Sequence, residues 1–287
     1  MGVLTILVAV LAGMTAQDQQ AVELPVKYDA PYVLRTEITR SVRKDAEPAV
    51  VDTQVWEVRV TPTDQGFHTV WRDREKRQST AMEIETDETL SPVRITNLDA
   101  IRREMGAALR SDDKDGTGER VLEFFGSLPE ATLTALLTQD ATLVSLGQGR
   151  RLAPGELYRY TESSQPFSNG PVVDMQASFE LREVDEAAGR AVVLWTSSLD
   201  EKGSRDLWPG LVRALAGPMG LDPNDQTKME EMMKDGSFSQ TRRCRYEIQI
   251  DTGLASTVSC VFVQEVSLLN ERSKKETRFD ATQTLVP

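Results

Sequence analysis

The chain of 287 residues has one histidine, His68, and two cysteines, Cys244 and Cys260. That scarcity excludes several chemistries. Zinc sites draw on several His or Cys ligands, which this chain cannot supply. A Ser-His-Asp mechanism needs its histidine placed by partners. His68 instead sits between Phe67 and Thr69 in a run that reads as strand. No G-x-S-x-G stretch accompanies it. Positive charge is also in deficit. Lys and Arg number 33 against 45 Asp and Glu, a formal net charge of −12. An acidic chain is a poor electrostatic partner for nucleic acid or anionic lipid. Arg102-Arg103 and Arg242-Arg243 are isolated basic pairs, too short for a nucleic-acid stripe.

Long apolar runs are confined to the start. Residues 1–16, MGVLTILVAVLAGMTA, contain no charged side chain. Val3 to Ala12 has the length of a secretory h-region and is too short to span a bilayer. This predicts a signal peptide over 1–16, although no Lys or Arg precedes the run, and a flexible leader over 17–24. Met14 stands where a lipidated Cys would be required, so the reading is a soluble exported protein, periplasmic or secreted. No later stretch is long and apolar enough for a transmembrane helix.

What the chain does have is alternation. Cys244, Tyr246, Ile248 and Ile250 alternate with Arg245, Glu247, Gln249 and Asp251, the period of a strand with one buried face. After Asp251-Thr252-Gly253 the pattern resumes with Leu254, Ser256, Val258, Cys260 and Phe262. A three-residue loop pairs Ile250 with Leu254, Tyr246 with Val258 and Cys244 with Cys260. A two-residue loop would set apolar residues opposite polar ones, and the buried face chooses the register. Directly opposed residues have Cα atoms about 4.5 Å apart, and a disulfide accepts about 4.4–6.8 Å. Export favours oxidation, so a Cys244–Cys260 bridge is expected.

Tyr32 to Thr39, Val55 to Val60 and Phe67 to Trp71 read as an antiparallel meander with charged turns at Lys44–Pro48 and Pro62–Gly66. Asn97 is expected to cap a helix carrying Leu98, Ile101, Met105 and Leu109. Val121, Leu122, Phe125 and Leu128 mark a second helix. Pro129 starts a third, with Leu133, Leu136 and Leu137, and Ala141 to Leu146 reads as a return to strand. Val50-Val51-Asp52-Thr53-Gln54 recurs as Val172-Val173-Asp174-Met175-Gln176. Glu83-Ile84-x-x-Asp87-x-x-Leu90 recurs as Glu247-Ile248-x-x-Asp251-x-x-Leu254. This predicts an internal duplication of a meander-plus-hairpin unit, over 25–150 and 151–287. A helical insertion is expected over 204–239, with Leu207, Leu211 and Leu215 on one face, broken at Pro209-Gly210. Asp222-Pro223 caps its second helix. Val263–Leu269 and Thr277–Leu285 suggest a closing hairpin around Asn270 to Lys275.

Three further patterns invite chemistry. Asp113 to Glu119 resembles a calcium loop, but Leu122 occupies the place of the bidentate ligand, so it reads as a solvated turn. Met229, Met232 and Met233 form a stripe with Met219 nearby. Thioethers bind copper(I), yet methionine more commonly fills an irregular groove. Glu83, Glu85 and Asp87 alternate along one strand face, most simply its wet side.

The sequence therefore predicts an α+β protein of long twisted antiparallel sheets with helical insertions. Its expected role is a non-catalytic binding module, with no cofactor or metal, for an apolar small molecule or an envelope protein. The expected groove is lined by Leu207, Trp208, Leu211, Met229, Met232 and Met233. The alternatives are a hydrolase built from carboxylates and a purely structural envelope protein.

Overall fold

The computed structural model describes residues 21–27, 30–75, 79–112, 122, 125–126, 128–164, 171–216, 222–233, 236–268 and 271–286. The expected signal peptide, the acidic segment Asp113–Glu119 and Met219 lie outside them. A first meander comprises β2 (Tyr32–Lys44), β3 (Val50–Thr63), β4 (Gly66–Asp73), β5 (Met82–Thr86) and β6 (Pro92–Ile95). Helices α1 (Leu98–Asp112), α2 (Glu130–Leu137) and α3 (Gln139–Ser145) follow. A second meander opens with β8 (Leu157–Ser164), β9 (Val173–Asp185) and β10 (Arg190–Leu199). It is interrupted by α4 (Glu201–Ala216) and α5 (Pro223–Met233), then continues as β11 (Ser237–Gln249), β12 (Ala255–Leu268) and β13 (Glu271–Val286).

All these strands are antiparallel and form one eleven-stranded sheet in the order β6-β5-β4-β3-β2-β13-β12-β11-β10-β9-β8. The join is β13 against β2, so the two halves read from the sequence share one sheet. The recurring words fall on β3 and β9 and on β5 and β11, a correspondence of position that does not demonstrate duplication.

Period-two patterning puts one face of this sheet inside. Leu34 and Ile38, Val58 and Val60, Tyr246 and Ile248, and Phe279 and Ala281 are all buried on it. We call it the inner face. The helices pack there, α2 and α3 at one end and α4 and α5 at the other.

The hairpin register holds where the sequence argument placed it: Tyr246 faces Val258 and Cys244 faces Cys260. The two cysteines form a disulfide with Cα atoms 4.0 Å apart. The loop differs. A bulge next to Ile248 pairs it with Ala255, and Gln249 N–H donates to Leu254 O, so Ile250 does not oppose Leu254. The turn is tightened because Gly253, at φ +70°, lies against the Pro25 carbonyl, where a Cβ would come within 2.1 Å.

Four other expectations are corrected. Residues 141–146 are helical rather than extended. Ala141, Val144 and Ser145 are buried at helical spacing, and the Thr138 and Thr142 hydroxyls donate to the carbonyls four residues back. Those bonds let β-branched residues sit in a helix. The Asn97 side chain joins the sheet edge, accepting from Glu83 N–H and donating to Ala81 O, instead of capping α1. Helix α4 runs through Pro209. The last two strands continue to Leu268 and start again at Glu271, so the closing turn is shorter than read. The Asp222 cap is present, accepting from Asn224 and Asp225 N–H. Of the expected leader, Val22–Glu23 pairs as strand β1 with β7 (Arg151–Leu152), and Leu24 is fully buried.

Helix α3 is bound to the sheet through Tyr246. Its hydroxyl donates to Leu143 O at 3.1 Å, and its ring lies where a Cβ on Gly147 would come within 2.4 Å. Burial pushes the Tyr246 hydroxyl well above the usual tyrosine range, and burial raises Tyr160 as well.

Two stability outcomes follow from this architecture. The Cys244→Ala/Cys260→Ala double variant, or wild type unfolded with a thiol reductant, should lose about 3 kcal/mol, for a bridge closing 16 residues of separation. An unchanged urea midpoint would contradict a structural role for the bridge. Tyr246→Phe should cost about 1 kcal/mol at neutral pH. A tyrosine whose folded pKa exceeds its unfolded value, about 10, contributes stability below that pH and loses it as pH rises. Wild type should therefore weaken above about pH 10, and Tyr246→Phe less steeply, because Tyr160 remains. Chemical denaturation across that range reads both.

Candidate binding cleft between helix and sheet

Between α3 and the inner face of the first meander lies a cavity of about 30 Å³. Leu34, Val58, Val60 and Trp71 form its sheet wall, and Ala141 and Val144 its helix wall. The strand residues come from alternate positions on β2, β3 and β4, which is why they share a face. Polar groups at the margin are mostly paired. Trp71 Nε1 donates to Thr69 Oγ1 at 3.2 Å, and Thr86 Oγ1 donates to Phe67 O at 3.2 Å. Three are not: Thr36 Oγ1, Gln148 Oε1 and Gln283 Oε1 line this cavity, buried, with no partner among the described residues.

The helix is fastened at its rim. Arg40 on β2 forms an ion pair with Asp140 on α3, both partly shielded from solvent. Arg150 donates to Leu146 O at 3.2 Å and stacks its guanidinium 4.3 Å above the Phe179 ring. The N-terminal segment closes the base: Leu24 N–H donates to Arg150 O and Gly149 N–H to Leu24 O.

A polar strip divides this main core from a second one. Arg242 on β11 donates to Ser164 Oγ at 2.9 Å and lies 3.6 Å from Glu162, which accepts from Ser197 Oγ at 2.7 Å. Burial lowers the Arg242 pKa, and Glu162 opposes that shift. Beyond the strip, Leu207 and Trp208 are buried with Val173 and Phe238, and Leu211 and Met233 pack against them. Met229 is half-buried on α5, and the side chain of Met232 lies outside the described set. Of the expected groove residues, Leu207, Trp208, Leu211 and Met233 take part in this second core, and the cavity beside Thr36 lies under the other helix pair.

The remaining sequence candidates occupy the outer face and the turns. His68 Nε2 is 3.8 Å from Glu83 Oε2. Glu85 takes a bidentate pair from Arg94 at 2.7 and 2.8 Å, which holds its carboxyl below the usual range. Asp87 accepts from Thr89 and Ser91 N–H and so builds a turn. Among the described residues, no carboxylate lines the cavity and no cluster of three His, Cys, Asp or Glu is placed to hold a metal ion. No helix among them is long and apolar enough to cross a membrane.

The cavity was not found from sequence because its helix wall, 141–146, reads as strand. The Ala141–Val144–Ser145 spacing was the available signal.

No family model matches this sequence, and no curated protein matches it. Among solved structures, the chain is similar to a Vibrio parahaemolyticus domain assigned provisionally as an outer membrane lipoprotein-sorting protein. The two share 11% identity over 89% of this chain and 85% of that one, with a TM-score of 0.27. A likeness at that level assigns neither fold nor function to this chain.

Proposed function

We propose that the protein is an exported, non-catalytic binding module that takes an apolar ligand between α3 and the inner face of the sheet. The observation that supports this most is the cavity itself. Its sheet and helix walls are mainly apolar, and its helix is held by the Arg40–Asp140 ion pair, by the hydrogen bond from the buried Tyr246 to Leu143 O and by the packing of Ala141 and Val144. A chain-like ligand needs α3 to lift. Undoing one part-exposed ion pair and one hydrogen bond costs about 1–3 kcal/mol. Lifting α3 also uncovers the buried Ala141 and Val144, and an alkyl chain that takes their place against the sheet returns about 0.8 kcal/mol per CH₂. Export is supported by the disulfide, since such bridges persist in oxidising compartments, and by the apolar run Val3–Ala12.

Native mass spectrometry of protein purified from its host should show a co-purifying apolar molecule of defined mass. Ala141→Phe, which fills the cavity from the helix side, should abolish that adduct while the thermal melt stays cooperative. An adduct equally present in Ala141→Phe would move the site elsewhere. No adduct, or a bound protein in its place, would count against a small apolar ligand.

A further inference from the structure

We infer that the ligand of this cleft is a neutral amphiphile whose head carries a hydroxyl, an inference that rests on the cleft being the binding site. Thr36, Gln148 and Gln283 are 0%, 1% and 8% exposed, each lines the mainly apolar cavity, and each carries a buried polar atom with no partner among the described residues. Buried polar groups are normally paired. Three unpaired groups lining one small space indicate that the missing partners come from outside the chain.

The chemistry of the three atoms narrows the partner. The Gln148 amide is oriented by its Nε2, which donates to Val144 O at 3.2 Å, so its Oε1 only accepts. The Gln283 amide, which no hydrogen bond among the described residues orients, can present either its oxygen or its nitrogen, and the Thr36 hydroxyl can donate or accept. The ligand must therefore bring a donor for Gln148 Oε1. A carboxylate brings none and would face the Gln148 carbonyl oxygen. An ammonium would lose its hydration with no counter-charge, because no ionisable side chain lines the cavity. A hydroxyl satisfies the set by donating to a glutamine Oε1 while accepting from Thr36.

Geometry agrees. Thr36 and Gln283 oppose each other directly across the β2–β13 ladder. Opposed side chains start roughly 4.5–5.5 Å apart at Cβ, a span that one oxygen can bridge. The cavity, about 30 Å³, suits one or two groups of that size. The aliphatic part would then run along Leu34, Val58 and Val60 beneath a raised α3.

The test is equilibrium dialysis of the full mature chain with radiolabelled dodecanol and, separately, dodecyl methyl ether. The two ligands share an alkyl chain, and the ether lacks the donor. Wild type should prefer the alcohol by about ten-fold, the scale of one or two net hydrogen bonds. Gln283→Leu and Thr36→Val should each cut that preference to about two-fold or less, with ether binding unchanged or tighter, and should melt at or above the wild-type temperature. Equal wild-type affinity for the two compounds would overturn the hydroxyl inference and leave the apolar cleft standing. A preference that persists in both variants would also overturn it. Binding of neither compound would remove the cleft reading as well.

Discussion

The pairing of the first long strand with the last governs this molecule. β2 and β13 are matched over twelve residue pairs, from Lys275–Lys44 to Val286–Val33. Without that ladder the chain would be two separate meanders, each with exposed edges. With it, the inner faces of both become one surface on which a core can be built. The ladder is pinned at its open end. Asp45 adopts φ 51° in the β2–β3 turn, where its carboxylate accepts from Lys274 N–H and Ser273 Oγ. Those bonds, the Lys274 amide first, hold the Asp45 carboxyl below its ordinary range. Arg43 and Glu276 add an ion pair along the outer face. The same ladder also places Thr36 beside Gln283, so the polar end of the candidate site depends on a contact between distant parts of the chain.

What was legible in the sequence was local and periodic. The hairpin around Cys244 and Cys260 could be registered because a slip of one residue would have turned an apolar face outward. The Asp222 cap could be read because its side chain bonds to amides two and three residues away. The strands of the first meander were legible for the same reason. Features decided by distant partners were not. Leu24 follows a polar stretch, and its burial depends on a bond to Arg150 O. Asn97 has the composition of a cap, but Ala81 and Glu83 on the neighbouring strand claim its amide. At Thr138 and Thr142 propensity favoured strand, and hydroxyl bonds within the helix overrode it.

The two ends of the inner face solve the same packing problem differently. Under α4 and α5 the apolar side chains close on one another: Leu207, Trp208, Val173 and Phe238 are all buried. Gly210 lets α4 approach Pro171 so tightly that a Cβ would come within 2.7 Å of its ring. Under α3 the contact is left incomplete, with a cavity and its unpaired groups. The strip of Arg242, Glu162, Ser164 and Ser197 separates the ends, and its charges are matched internally.

Magnitude argues against incidental imperfection at the α3 end. An unmade buried hydrogen bond costs about 1–3 kcal/mol, and a typical domain is stable by only about 5–15 kcal/mol. Three such groups in one cavity use a large fraction of that margin. Valine at 36 or leucine at 283 would nearly preserve shape and remove the cost, so stability alone does not account for the polar side chains found there. At the other end of the same face, Leu207, Trp208, Val173 and Phe238 are buried against one another. Thr36, Gln148 and Gln283 gather their unpaired groups under α3, which is where the proposed ligand would supply the missing partner.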